Sequence, residues 1–213
     1  MNDDGRQQAF MSALVTEHFV LQSARGATIS EASGRAALYL TSVTGALVAL
    51  GFVAQVGEQF DAFTAAVLPA VFLLGEFTYV RLLENSIEDV LFHRSIQRIR
   101  RYYLGLVPEA VEFFGDAEVD RMPSAAMYRS STQLLFTAAS MVAAINGTLG
   151  GAVVTLLVRA LNLAGLGVAV LAGVAAAVLV FGLHLWHQRR RFAQMIDRPA
   201  DAGTVTASQP YRP

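Results

Sequence analysis

Cysteine is absent from the 213 residues, which rules out disulfides, thiol catalysis and thiolate metal sites. Lysine is absent too. The 16 basic residues other than histidine are all arginine, a usage that hints at a GC-rich bacterial genome. Charge of either sign is scarce: charged residues make up 15% of the chain, where an ordinary soluble domain carries nearer a quarter. There is no HExxH, no Gly-rich phosphate loop, no GxSxG and no carboxylate pair in a catalytic context, so no motif points to an enzyme. A cleavable secretory signal is not expected either. Asp3, Asp4, Arg6, Glu17, Arg25, Glu31 and Arg35 all precede the first long apolar run at Ala36, whereas a signal places its apolar region much nearer the start.

What the chain has instead is apolar residues, 54% of the total, gathered into four long runs. About 20 such residues cross a bilayer as a helix. The runs are 36–56, 63–83, 134–158 and 163–186. The loops GEQFDA (57–62) and RALN (159–162) are short enough to make each pair an antiparallel hairpin. The predicted fold class is all-α: a polytopic membrane protein with four transmembrane helices and amphipathic cytoplasmic helical extensions. Five segments follow: an N-terminal amphipathic helix (1–35), a first transmembrane hairpin (36–83), a cytoplasmic helical segment (84–132), a second hairpin (133–187), and an Arg-rich flank with a disordered tail (188–213). Arginines gather in 84–132 and behind Trp186 but are nearly missing from the two short loops. The positive-inside rule then puts both termini in the cytoplasm of a cell inner membrane.

The second run continues into a charged helix without a break. Phe92, Ile96, Ile99, Tyr103 and Leu106 form an apolar stripe at spacings of three and four, and Gly105 and Pro108 end the helix. Arg94, Arg98 and Arg101 form a basic stripe beside it. That stripe admits three readings: anionic lipid headgroups, a phosphorylated ligand, or pairing with the acidic piece 109–120. Ser124 suits an N-cap leading into the third span. Residues 10–35 read as an amphipathic helix weakened at Gly26. Their few cations favour packing on the other cytoplasmic helix over lying on lipid. Pro69 stands near the first turns of the second span, where it invites a kink.

Glu76 is the most informative residue. It falls inside the second span, roughly 10 Å below the inner boundary at about 1.5 Å per residue. An ionisable group there costs about 2.5–3.5 kcal/mol, so it faces protein or water. One reading is a proton or cation site, or a gate. The other is a structural hydrogen bond to Tyr39, Ser42 or Thr44 on the first span. Asn146 in the third span suits an interhelical hydrogen bond. Of His18, His93, His184 and His187, only His184 reaches into a span, close to its inner surface. No metal site or cofactor is expected. Ala139, Ala143, Gly147 and Gly151 recur every four residues on the third span, as do Gly165, Ala169, Gly173 and Ala177 on the fourth. Two such faces let backbones approach closely.

Residues 17–56 and 84–103 (ENSIEDVLFHRSIQRIRRYY in the latter) resemble a group of small bacterial multi-span membrane proteins of unassigned function. The resemblance brings no active-site motif. The layout is similar to that of small transmembrane effectors of nucleotide-triggered antiphage systems, in architecture alone. The expected function is a non-enzymatic membrane scaffold or docking subunit, with an oligomeric channel past Glu76 as the alternative. The expected partners are the lipid bilayer, other copies of the chain or a cytoplasmic protein, and not nucleic acid.

Overall fold

Strong helix breakers are few in this sequence, and the helices are correspondingly long. The computed structural model describes residues 2–57, 59–106, 108–114, 135 and 137–196. Helix α1 spans Asp3–Val56, 54 residues. Asn2 caps it, its side-chain oxygen accepting the Gly5 N–H at 3.3 Å, and Asp3 and Asp4 complement the positive end of the helix. Gly26 does not interrupt α1. One interior glycine costs about 1 kcal/mol, too little to break a helix packed along its length. Gly57 does end it, in a backbone conformation (φ 80°) that favours glycine.

Helix α2 spans Phe60–Leu104, 45 residues, carries Pro69 within it and stops at Gly105 as its sequence implies. A short helix α3 covers Ala110–Phe114. Helices α4 (Ala138–Ala160) and α5 (Leu166–Ile196) complete the described chain, which contains no strand. α1, α2, α4 and α5 are each long and apolar enough to cross a membrane.

Two helix starts differ from the sequence reading. α4 begins at Ala138 instead of 134, because the Thr137 hydroxyl accepts the Ser140 N–H at 3.2 Å and caps the helix there. α5 begins at Leu166 instead of 163, after a turn in which Asn162 takes φ 51°. α5 continues past the end of the apolar run at Trp186. It runs through the arginine flank to Ile196, with Gln188, Phe192 and Met195 buried. The acidic piece beyond 114, Arg121, Ser124, Arg129 and the tail from 198 lie outside the described residues.

α1 and α2 form one antiparallel hairpin and α4 and α5 another, with α2 packed against α4 between them. Tyr39, Leu82, Leu83, Val142 and Ala143 are fully buried at the centre. At about 1.5 Å per residue, α1 and α2 are about 80 and 67 Å long, against about 35 and 46 Å for α4 and α5. The first hairpin therefore extends past the second as a two-helix arm. Its helices pack on each other: Phe10 meets Tyr102 edge-on at 5.6 Å, and Arg25 Nε donates to Asp89 at 2.8 Å. Arg81 Nε reaches Glu31 at 3.0 Å, and Arg35 reaches the same carboxylate at 2.8 Å. Hydrogen bonds from Arg81, then Arg35, hold the Glu31 carboxyl below the usual carboxylate range.

Candidate functional site

Four helices each send a polar side chain to one level of the bundle. Tyr39 comes from α1, Glu76 and Tyr79 from α2, Asn146 from α4 and His184 from α5. The meeting is made possible by Gly75. It has no Cβ, and the Asn146 amide occupies the space where one would stand. Asn146 is completely buried and Tyr39 is 1% exposed.

The hydrogen bonds form a directed chain. The Tyr39 hydroxyl donates to Asn146 Oδ1 at 3.3 Å, and Asn146 Nδ2 donates to Glu76 Oε1 at 2.8 Å. Glu76 Oε2 meets His184 Nε2 at 3.1 Å, and His184 Nδ1 meets the Val180 carbonyl at 2.7 Å. A carbonyl only accepts, so Nδ1 carries a hydrogen. A carboxylate also only accepts, so one further proton must lie between Nε2 and Oε2. Either the imidazole is charged and the carboxylate ionised, or both are neutral and the carboxyl donates. In both cases Glu76 and His184 share one proton and sum to zero charge. Such a pair is tolerated in apolar surroundings where a lone carboxylate is not.

Tyr79 locks the histidine in place. Its hydroxyl donates to the His184 carbonyl at 2.6 Å, and its ring stands edge-on to the imidazole at 4.3 Å. One side of the pair is open. The Glu76 side chain, 35% exposed, faces a shallow groove of about 380 Å³ bordered by Phe72, Val80, Val180, Leu183 and His187. No family model, curated protein or solved structure matches the chain. The role of the cluster rests on its own chemistry: its hydrogen bonds tie four helices together at one level.

The sequence reading of Glu76 is corrected in its partners. Ser42 and Thr44 do not reach it, since their hydroxyls bond back to the Leu38 and Leu40 carbonyls of their own helix. Tyr39 reaches it only through Asn146. His184 on α5 is the partner that the sequence does not link to Glu76. The packing of the helices brings its ring level with the Glu76 carboxylate. A second buried knot was not foreseen. Gln188, 1% exposed, accepts from Ser140 at 3.1 Å and donates to Thr137 at 3.0 Å, tying α5 to the start of α4.

The small faces of α4 and α5 meet for part of their length. Gly147 lies against the Ala177 carbonyl, and Gly151 against Gly173 and Ala177. Ala139, Ala143 and Ala169 are buried. Gly165 is corrected: it precedes α5, is exposed, and serves only through its carbonyl, which accepts the Ala169 N–H at 3.0 Å. Of the basic stripe, Arg94 is half-buried and Arg98 and Arg101 are exposed. Among the described residues none of the three pairs with Glu109 or Glu112, so that part of the acidic piece does not neutralise the stripe. Among the described residues no three His, Asp or Glu side chains gather as a metal site would require.

Proposed function

We propose that the chain is a non-enzymatic inner-membrane scaffold of four spans, whose projecting α1–α2 arm docks onto a second copy of itself in the same membrane. The observation that carries this is the arm's outer surface. On α1, Glu17 and Val20 follow one another at helical spacing, and Val20 is 52% exposed. On α2, Leu91, 45% exposed, shares a face with Arg94 and Arg98. Among the described residues no other helix covers these stripes.

The two stripes match in height. Along the antiparallel arm, Arg25 is level with Asp89 and Phe10 with Tyr102. Glu17 falls between them, at the level of Arg94 and Arg98. A neighbouring copy threaded the same way therefore presents its arginines beside Glu17 and its Leu91 beside Val20. Charge complementarity of this kind sets register and partner choice.

Charge reversal tests the contact. Glu17→Arg should weaken self-association in lipid nanodiscs by about tenfold, corresponding to about 1.4 kcal/mol. Glu17→Arg combined with Arg98→Glu should restore it. A strictly monomeric wild type, or a double variant no better than the single, would overturn the docking surface.

The threading has its own test. With both termini cytoplasmic, Leu161→Cys, in the exposed α4–α5 turn, should react with an impermeant thiol reagent added outside cells, and Glu112→Cys should not. Labelling at position 112 from outside would reverse the orientation.

A further inference from the structure

A separate cavity lies where the start of α2 meets the end of α4. It measures about 560 Å³, within the range of small-molecule sites. Leu68, Val153, Leu156 and Leu157 supply most of its wall. The polar groups among them are few and unsatisfied. Thr64 is 5% exposed, yet its hydroxyl has no hydrogen-bond partner. Other threonines in the helices, Thr41 and Thr78 among them, bond back to the carbonyl four residues earlier. Ala65 also lines the cavity, and Pro69 has no N–H to give its carbonyl. Asp61 and Arg159 stand at the rim with opposite charge, unpaired with each other or with any described residue.

We infer that this cavity binds a zwitterion bearing a primary ammonium, an anionic group and an apolar chain. Asp61, Thr64 and Ala65 occupy positions i, i+3 and i+4 and offer three acceptors: a carboxylate, a hydroxyl oxygen and a carbonyl. A primary ammonium has three N–H donors to match them. The guanidinium of Arg159, at the other side of the rim, suits a carboxylate or phosphate through paired N–H donors. The leucine-rich wall takes the apolar chain. The same chemistry occurs in a phosphatidylethanolamine headgroup, which arrives from the bilayer, and in a free aliphatic amino acid, which arrives from water. The proposal does not depend on the arm or on self-association.

The test uses the full chain in detergent, with phosphatidylethanolamine, phosphatidylcholine and L-leucine as probes. Native mass spectrometry counts retained lipid, and calorimetric titration reads leucine. Phosphatidylcholine keeps the phosphate but has no N–H donor. The wild type should retain phosphatidylethanolamine at least about tenfold better than phosphatidylcholine, or bind leucine if the free amino acid is the natural source. Asp61→Asn and Arg159→Gln, both exposed, should keep the melting temperature and each lose about tenfold in binding of the preferred probe. Equal retention of the two lipids with no leucine binding would overturn the proposal, and the wild-type comparison decides this without any variant. So would preferred-probe binding that survives both substitutions.

Discussion

Gly173→Leu should cost the folded bundle about 3 kcal/mol or more, the upper end for overpacking, and leave little monodisperse protein after extraction in detergent. A Cβ at Gly173 would stand 2.6 Å from the Gly151 carbonyl oxygen and collide with the Thr155 hydroxyl. At Gly151 it would stand 2.5 Å from the Gly173 carbonyl. Backbone atoms of two packed helices cannot rotate out of the way as a side chain can, so α4 and α5 must separate. The same helix provides the control. Gly182 has nothing within 4 Å of the place its Cβ would take, and leucine is the better helix former by about 1 kcal/mol. Gly182→Leu should therefore melt no lower than the wild type. Equal melting of all three proteins would mean that the α4–α5 contact is not the one described.

Glu76 supports the second large effect, and here the sign depends on the replacement. Glu76→Leu leaves Asn146 Nδ2 and His184 Nε2 without partners. Each lost partner inside the bundle costs about 1–3 kcal/mol, so the variant should fall by about 3 kcal/mol. Glu76→Gln should fall by no more than about 1 kcal/mol. Its amide oxygen still accepts from Asn146, and its amide N–H donates to Nε2 of a neutral His184, so the directed chain survives. Thermal melting of the purified variants reads the difference. The same proteins in liposomes separate a closed bundle from an ion pathway. Both Glu76 oxygens are occupied, so neither wild type nor Glu76→Gln should pass cations between pH 6 and 8. Wild-type flux that disappears in Glu76→Gln would replace the scaffold by the channel. Loss of stability in Glu76→Gln as large as in Glu76→Leu would mean that the proton shared with His184 is not replaceable by an amide hydrogen.

Much of the fold is legible in the chain as written. Four apolar runs of sufficient length, two short loops, the stop at Gly105 and the continuous passage from the second run into a charged helix depend on neighbours within about 20 residues. So do the small faces at Gly147, Gly151, Gly173 and Ala177, because a four-residue recurrence marks one side of a helix whatever it packs against. Tertiary structure decided the rest. Glu76 and His184 are 108 residues apart and Arg25 and Asp89 are 64 apart, and no local pattern relates such pairs. Their meeting depends on how far each helix is shifted along its axis and turned about it. His184 is a clear case: it stands two residues before Trp186 in the sequence, and only the packing of the helices brings its ring to the carboxylate. Gly165 shows the same limit in the opposite direction. It fits the four-residue pattern, but it precedes the first turn of α5, where no partner helix reaches it. Periodicity specifies which side of a helix is small or apolar, and only the packing of helix on helix determines which of those positions are used.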